Sequence, residues 1–81
     1  MNCVYLNENF LPLDQAKTSV LDRGFLFGDG VYEVISVYHG KLFRVYEHLS
    51  RLNENLKAIR LSLSWTHQQW LAIFHELLRR N

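Results

Sequence analysis

Cysteine, proline and long apolar runs are scarce in this chain of 81 residues, and their scarcity limits what it can be. The one cysteine, Cys3, has no intramolecular disulfide partner, which favours a reducing compartment. No stretch approaches the roughly 20 apolar residues that a membrane helix needs. The first residues lack the basic and apolar regions of a secretory signal. We therefore predict a cytoplasmic protein without a membrane segment.

The sequence also lacks a cluster of like charges and a set of histidines spaced to bind a metal. Nine Lys and Arg residues balance eight Asp and Glu residues along the chain, so no basic surface for nucleic acid is expected. No two of the four histidines stand three or four residues apart, so no metal site is expected. Gly28-Asp29-Gly30 starts like a dinucleotide-binding loop, but the last glycine of that motif is absent.

Hydrophobic residues make up 48% of the chain, which is enough for one small domain over residues 1–81. Its first half has the pattern of strands and turns. Two short apolar runs, Val4–Leu6 and Phe10–Leu13, flank a polar turn and predict a β-hairpin. Further along, His39-Gly40 predicts a second tight turn, followed by an antiparallel return strand over Lys41–Val45.

A glycine-rich segment, Asp22–Gly30, precedes the strongest strand pattern. Glycines at this spacing permit turns that other residues resist, so we predict a loop that Phe25 and Phe27 fold over the core. Val31–Tyr38 is rich in Val, Ile and Tyr and is predicted as a strand. Alternation assigns its side chains to two faces. One face carries Val31, Glu33, Ile35 and Val37, and the other carries Tyr32, Val34, Ser36 and Tyr38.

The second half of the chain has helical periodicity. Glu47–Arg60 is predicted as an amphipathic helix, and a second helix is predicted to start at Thr66, which with Gln69 has the spacing of a capping box. The apolar stripes are Leu49, Leu52, Leu56 and Ile59 on the first helix, and Trp70, Leu71, Phe74, Leu77 and Leu78 on the second. We therefore predict an α+β fold, a two-layer sandwich of an antiparallel sheet and two helices.

Two side chains are candidates for binding, and the residues alone leave each of them open. Tyr32 follows the glycines at a predicted strand start, where binding residues often lie, but it also suits a packed residue beside a tight turn. Arg51 lies on the flank of its helix. It suits either a surface ion pair with Glu47 or an anion site, since a guanidinium fork matches a phosphate.

Two motifs at their observed distance resemble the start of class IV aminotransferases, which adopt the fold-type IV pyridoxal-phosphate architecture. The first is Asp-Arg-Gly-Phe-Leu-Phe-Gly-Asp-Gly-Val-Tyr-Glu-Val over residues 22–34, and the second is Glu-His-Leu-Ser-Arg-Leu over residues 47–52. A predicted strand, His-Gly turn and strand join them. The first motif is most similar to that of D-amino-acid aminotransferases.

The resemblance implies a cofactor, substrates and two site residues. Arg51 matches the arginine that binds the phosphate of pyridoxal 5′-phosphate, and Tyr32 matches a tyrosine that helps to hold the substrate carboxylate. The implied reaction moves an amino group between a D-amino acid and a 2-oxo acid. The family resemblance further implies a homodimer.

The same resemblance implies that residues 1–81 form only the small N-terminal domain. The lysine that forms a Schiff base with the cofactor matches none of Lys17, Lys41 and Lys57, and is expected beyond Asn81. No catalytic residue is therefore expected within this chain, and the 81 residues alone are predicted to be inactive.

Three alternatives to the D-amino-acid reading stay open. Aminodeoxychorismate lyase and branched-chain aminotransferase share the scaffold, although Tyr32-Glu33-Val34 favours the D-amino-acid group over the patterns usual in those two. The third alternative is a non-catalytic interaction module. The presence of both Tyr32 and Arg51 weighs against it, because a domain that only packs has no need of that pair.

Overall fold

The computed structural model of the protein describes residues 2–63 and 65–81, which fall into two compact units. One unit takes its described residues from 1–19 and 65–81, and the other from 20–64. The elements are β1 (Cys3–Leu6), β2 (Asn9–Pro12), a 3-10 turn (Leu13–Gln15), α1 (Arg23–Phe27), β3 (Val37–Tyr38), β4 (Lys41–Leu42), α2 (Val45–Ala58) and α3 (His67–Arg80). This mixture of antiparallel strands and two long helices confirms the α+β class.

The first unit contains the predicted hairpin. β1 and β2 pair antiparallel with Leu6 opposite Asn9, so two residues make the turn. Both residues have positive φ, 48° at Asn7 and 72° at Glu8. Two-residue turns of this mirror-image type match the twist of the strands they join. Pro12 ends β2, where its missing N–H costs the ladder little.

Helix α3 contacts β1, which gives this unit a sheet layer and a helix layer. The predicted capping box is confirmed: Gln69 N donates to Thr66 Oγ1 at 3.2 Å, and Thr66 N donates to Gln69 Oε1 at 2.7 Å. At the other end of α3, Asn81 Nδ2 donates to Cys3 O at 3.0 Å and Asn81 Oδ1 accepts from Cys3 N at 2.8 Å. Cys3 is a free, half-buried thiol at the start of β1.

In the second unit, the glycine-rich segment differs from the prediction. It forms the short helix α1 instead of a loop, and Phe25 and Phe27 are exposed instead of covering the core. The Asp22 carboxylate accepts from Gly24 N at 2.9 Å and caps the first turn. Gly28, at φ 70°, ends the helix in the left-handed conformation that glycine adopts most easily. A Cβ at position 24 would lie 2.9 Å from Asp22 Oδ2, so a larger residue there would displace the capping carboxylate.

The predicted strand Val31–Tyr38 is paired over only two residues, Val37–Tyr38, and its return strand is limited to Lys41–Leu42. The predicted turn between them is confirmed, with positive φ at His39 and Gly40. Residues 31–36 keep the predicted alternation, because Val31, Glu33 and Ile35 are less exposed than their neighbours. Alternation depends on the side chains, whereas a ladder needs a partner strand. The described strands therefore form two two-stranded sheets, not one.

Helix α2 starts and ends two residues earlier than predicted. Arg44 precedes it at φ 53°. Leu49 and Leu56 of the predicted stripe are buried, with Leu49 only 1% exposed. Ile59 is exposed because it follows the last helical residue. Within the described residues, no helix is long and apolar enough to cross a membrane.

Candidate functional site

The carboxylate of Glu33 joins the segment before β3 to helix α2. Glu33 Oε2 accepts from Arg51 Nε at 2.7 Å, and Glu33 Oε1 accepts from Arg51 Nη2 at 2.8 Å. His48 Nδ1 lies 2.6 Å from the same Oε1 and donates to it. The Glu33 side chain is 8% exposed, so a nearly enclosed carboxylate is satisfied by two side chains one helical turn apart.

These contacts fix the charges at the site. The hydrogen bond from Arg51 lowers the pKa of Glu33 from 4.5 to about 2, with a further contribution from His48. The same bond and the charge of Glu33 raise the pKa of Arg51, and Tyr32 adds a smaller electrostatic contribution. Glu33 is therefore ionised at neutral pH.

The prediction of a surface ion pair between Arg51 and Glu47, the alternative to an anion site, is wrong. Glu47 instead lies 3.6 Å from Arg44 Nη1, one turn earlier. A guanidinium has two bidentate edges, and Glu33 takes the edge formed by Nε and Nη2. The outer edge, formed by Nη1 and the second hydrogen of Nη2, is geometrically separate from that contact. Arg51 is 64% exposed, so this side chain meets both Glu33 and solvent.

A small recess lies along the first two turns of α2. It has a volume of about 190 Å³ and is lined by Arg44, Glu47, His48 and Arg51. The recess is open to solvent, so a small anion can reach the two guanidinium groups that line it. With Glu33 behind Arg51, two guanidinium groups face two carboxylates, so the formal charge of these four is zero. Binding of an anion here would therefore depend on the orientation of the N–H donors more than on net charge.

Tyr32 is 84% exposed, so no other residue within 2–63 and 65–81 packs closely over it. It lies on the exposed side of the alternating segment, next to Glu33 on the less exposed side. The phenol hydroxyl can donate a hydrogen bond without adding a charge.

Sequence reasoning singled out Arg51 and Tyr32 but gave no role to Glu33, His48 or Arg44. The spacing of Arg44, His48 and Arg51, at intervals of four and three, was a usable signal, because such residues share one helix face. The contact with Glu33 left no such signal, since it spans 18 residues and two elements.

Known proteins that are similar to this chain match it over the segment that contains Tyr32, Glu33 and Arg51. Residues 30–81 match the profile of the family described as Amino-transferase class IV. Over all 81 residues the chain is 42% identical to a D-alanine aminotransferase of Staphylococcus haemolyticus and 41% identical to one of Staphylococcus epidermidis. It is 38% identical over 78 residues to a Methanocaldococcus jannaschii protein named "Putative branched-chain-amino-acid aminotransferase". The chain belongs to the class IV aminotransferase family.

These matches cover the chain almost completely but the relatives only in part. The chain spans 29% of the length of each of the two staphylococcal proteins and 27% of the archaeal one, while 100% and 96% of the chain itself are covered. The aligned region includes Tyr32, Glu33 and Arg51.

Proposed function

We propose that residues 1–81 are the N-terminal domain of a longer, pyridoxal-phosphate-dependent aminotransferase that acts on D-amino acids and 2-oxo acids. The observation that carries the proposal is the guanidinium of Arg51, which is held on one edge by Glu33 and lines an anion-sized recess. It occurs at a motif position in a chain about 40% identical to D-alanine aminotransferases.

The residues present fit the phosphate of the cofactor. Arg51 has a second edge with two N–H donors, and Arg44 lines the same recess. A phosphate oxygen pair and a guanidinium edge form two parallel, charge-assisted hydrogen bonds. We assign Arg51 to the phosphate, with Arg44 at the margin of that site. When bound, pyridoxal phosphate supplies the electron-accepting ring and carries the amino group.

We assign Tyr32 to the carboxylate of the substrate. Its side chain is exposed, and it is the chain neighbour of Glu33, which binds Arg51, so one short segment would serve both the phosphate end and the substrate end of the site. We place the catalytic lysine beyond Asn81, because the staphylococcal relatives are more than three times as long as this chain. We also propose that the enzyme is a homodimer.

The test uses the full-length protein. It is purified, its bound cofactor is measured by absorbance, and amino transfer to a 2-oxo acid is assayed with both enantiomers of alanine, leucine and valine. We expect bound pyridoxal phosphate and at least about tenfold preference for the D-enantiomers, since stereospecific sites differ by several contacts. Absence of bound cofactor or of any amino transfer would contradict the proposal.

A branched-chain aminotransferase is the second candidate, and the similarity to the archaeal protein supports it. The same assay separates the two candidates. Preference for L-leucine and L-valine over every D-amino acid would favour the branched-chain reaction. It would leave the assignment of Arg51 unchanged, because both enzymes are of one class and the phosphate belongs to the cofactor.

Replacing Tyr32 with phenylalanine tests the substrate assignment. The variant loses one hydrogen bond to a carboxylate, so KM for the amino acid is expected to rise about tenfold while kcat changes little. Steady-state kinetics measure both constants. Tyr38→Phe is the control, because Tyr38 is also exposed and lies on the same face, yet is six residues further along. Equal KM values for the two variants would sink the assignment.

A further inference from the structure

We infer that Glu33 is a positioning residue for the cofactor phosphate, acting through Arg51 by holding one edge of its guanidinium so that the other edge is presented to the recess. The inference rests on the proposed function, since it assumes that Arg51 binds the phosphate. Glu33 itself does not touch the phosphate in this arrangement.

The geometry of the contact fixes the plane of the guanidinium. Two hydrogen bonds to one carboxylate, at 2.7 and 2.8 Å, define both the distance and the rotation of the planar fork. A single bond would leave rotation about the donor free. The Arg51 side chain is 64% exposed, so packing alone does not restrain it.

Glu33 is itself held in place. Its side chain is 8% exposed, and His48 Nδ1 donates to Oε1, the same oxygen that receives Arg51 Nη2. His48 and Arg51 both project from α2, three residues apart, so the helix and the segment before β3 support the carboxylate together. A rigid support of this kind reduces the conformational entropy that Arg51 would lose on binding an anion.

A competing view predicts that Glu33 weakens phosphate binding instead of strengthening it. The negative charge of Glu33 lies beside Arg51 and could weaken its attraction for a phosphate, so removing that charge could strengthen binding. Solvent screens such an effect at an exposed guanidinium. Although Glu33→Gln raises the formal charge of the four groups from zero to +1, this screened gain is expected to be smaller than the loss from the disordered donors.

The test measures phosphate recognition separately from the rest of the cofactor. The apo form of the full-length protein is titrated with pyridoxal 5′-phosphate and with pyridoxal, which lacks the phosphate, and the ratio of the two Kd values is taken. Glu33→Gln keeps the shape but loses the charge and one acceptor. We expect the preference for the phosphorylated compound to fall about tenfold, the loss of one charge-assisted hydrogen bond.

Glu76→Gln is the matched control. Glu76 accepts from Arg79 Nε at 3.0 Å, Arg79 Nη2 at 2.6 Å and Arg80 Nε at 2.6 Å, in the other unit of the chain. The hydrogen bond from Arg79 also lowers the pKa of Glu76 to about 2, so the two substitutions remove similar ion pairs. The ratio is expected to be unchanged in Glu76→Gln, whereas a general loss of stability would affect both compounds equally.

A double-mutant cycle separates positioning from a direct charge effect. Arg51→Lys keeps a cation but has no planar fork to orient. In that background Glu33→Gln is expected to leave the ratio unchanged, because the group through which Glu33 acts is gone. A tenfold fall there as well would overturn the inference.

Two outcomes in the single variant would also overturn it. These are an unchanged ratio in Glu33→Gln and a rise in the preference for pyridoxal phosphate, which would make Glu33 a competitor of the phosphate. If Arg51→Ala also left the ratio unchanged, the phosphate assignment itself would fail. If the preference for pyridoxal phosphate fell in Arg51→Ala but not in Glu33→Gln, only the role of Glu33 would be refuted.

A second measurement needs no substitution and covers the case of a Glu33→Gln protein that does not fold. In a crystal structure of the wild-type holoenzyme, the Glu33 carboxylate is expected within about 3 Å of Arg51 Nε and Nη2 while Nη1 meets the phosphate. Separation of Glu33 from Arg51 in the holoenzyme would contradict the inference.

Discussion

Replacing Arg51 with alanine is expected to weaken binding of pyridoxal phosphate by the full-length enzyme about 100-fold, since two charge-assisted hydrogen bonds each contribute about tenfold. Binding of pyridoxal is expected to change much less, because it has no phosphate for the guanidinium to contact. Titration of the apoenzyme with both compounds measures the two effects. Among the described residues, the variant also leaves Glu33, which is 8% exposed, with His48 as its one remaining side-chain partner.

Arg79→Ala is the matched control for that experiment. Arg79 donates to Glu76 through Nε and Nη2, as Arg51 does to Glu33, but it lies on α3 in the other unit. Removing it deletes an equivalent fork on a partly exposed carboxylate. Similar losses of affinity in the two variants would show that Arg51 has no particular role in holding the phosphate.

Replacing Leu49 with alanine is expected to reduce the free energy of unfolding by about 3 kcal/mol, within the range found for buried leucines. Leu49 is 1% exposed and lies between His48 and Arg51 on α2. Its burial fixes which side of the helix faces outward, and therefore where those two polar residues point. Urea denaturation followed by circular dichroism measures the loss.

Ser50→Ala is the control for this effect, because it changes an exposed neighbour on the same helix. A surface change of this kind is expected to alter stability by less than about 0.5 kcal/mol. Equal losses in Leu49→Ala and Ser50→Ala would mean that Leu49 does not anchor the helix.

Features with a local cause could be predicted from the sequence. The capping box at Thr66 and the two-residue turn at His39-Gly40 depend on residues within four positions of each other, and both are confirmed. α1 also has a local cause, the cap formed by Asp22 and the left-handed Gly28, although glycines at this spacing predict a loop. Gly28 lies at the C-cap of α1, where a glycine ends a helix instead of preventing one.

Features that depend on distant partners could not be predicted in the same way. Val31–Tyr38 has strand periodicity, yet only its last two residues find a partner among the described strands. The ion pair of Glu33 with Arg51 joins two elements whose separation no sequence pattern gives. The motif positions of Arg51 and Tyr32 came from the family resemblance, and their roles stay predictions.

The alternation of residues 31–36 has a consequence for how such an enzyme can change. Its outward set, Tyr32, Val34 and Ser36, is exposed, while Glu33 on the other side meets α2. Substitutions in the outward set are therefore expected to leave the ion pair of Glu33 with Arg51 in place. Libraries for directed evolution should vary positions 32, 34 and 36 together and leave 33 unchanged.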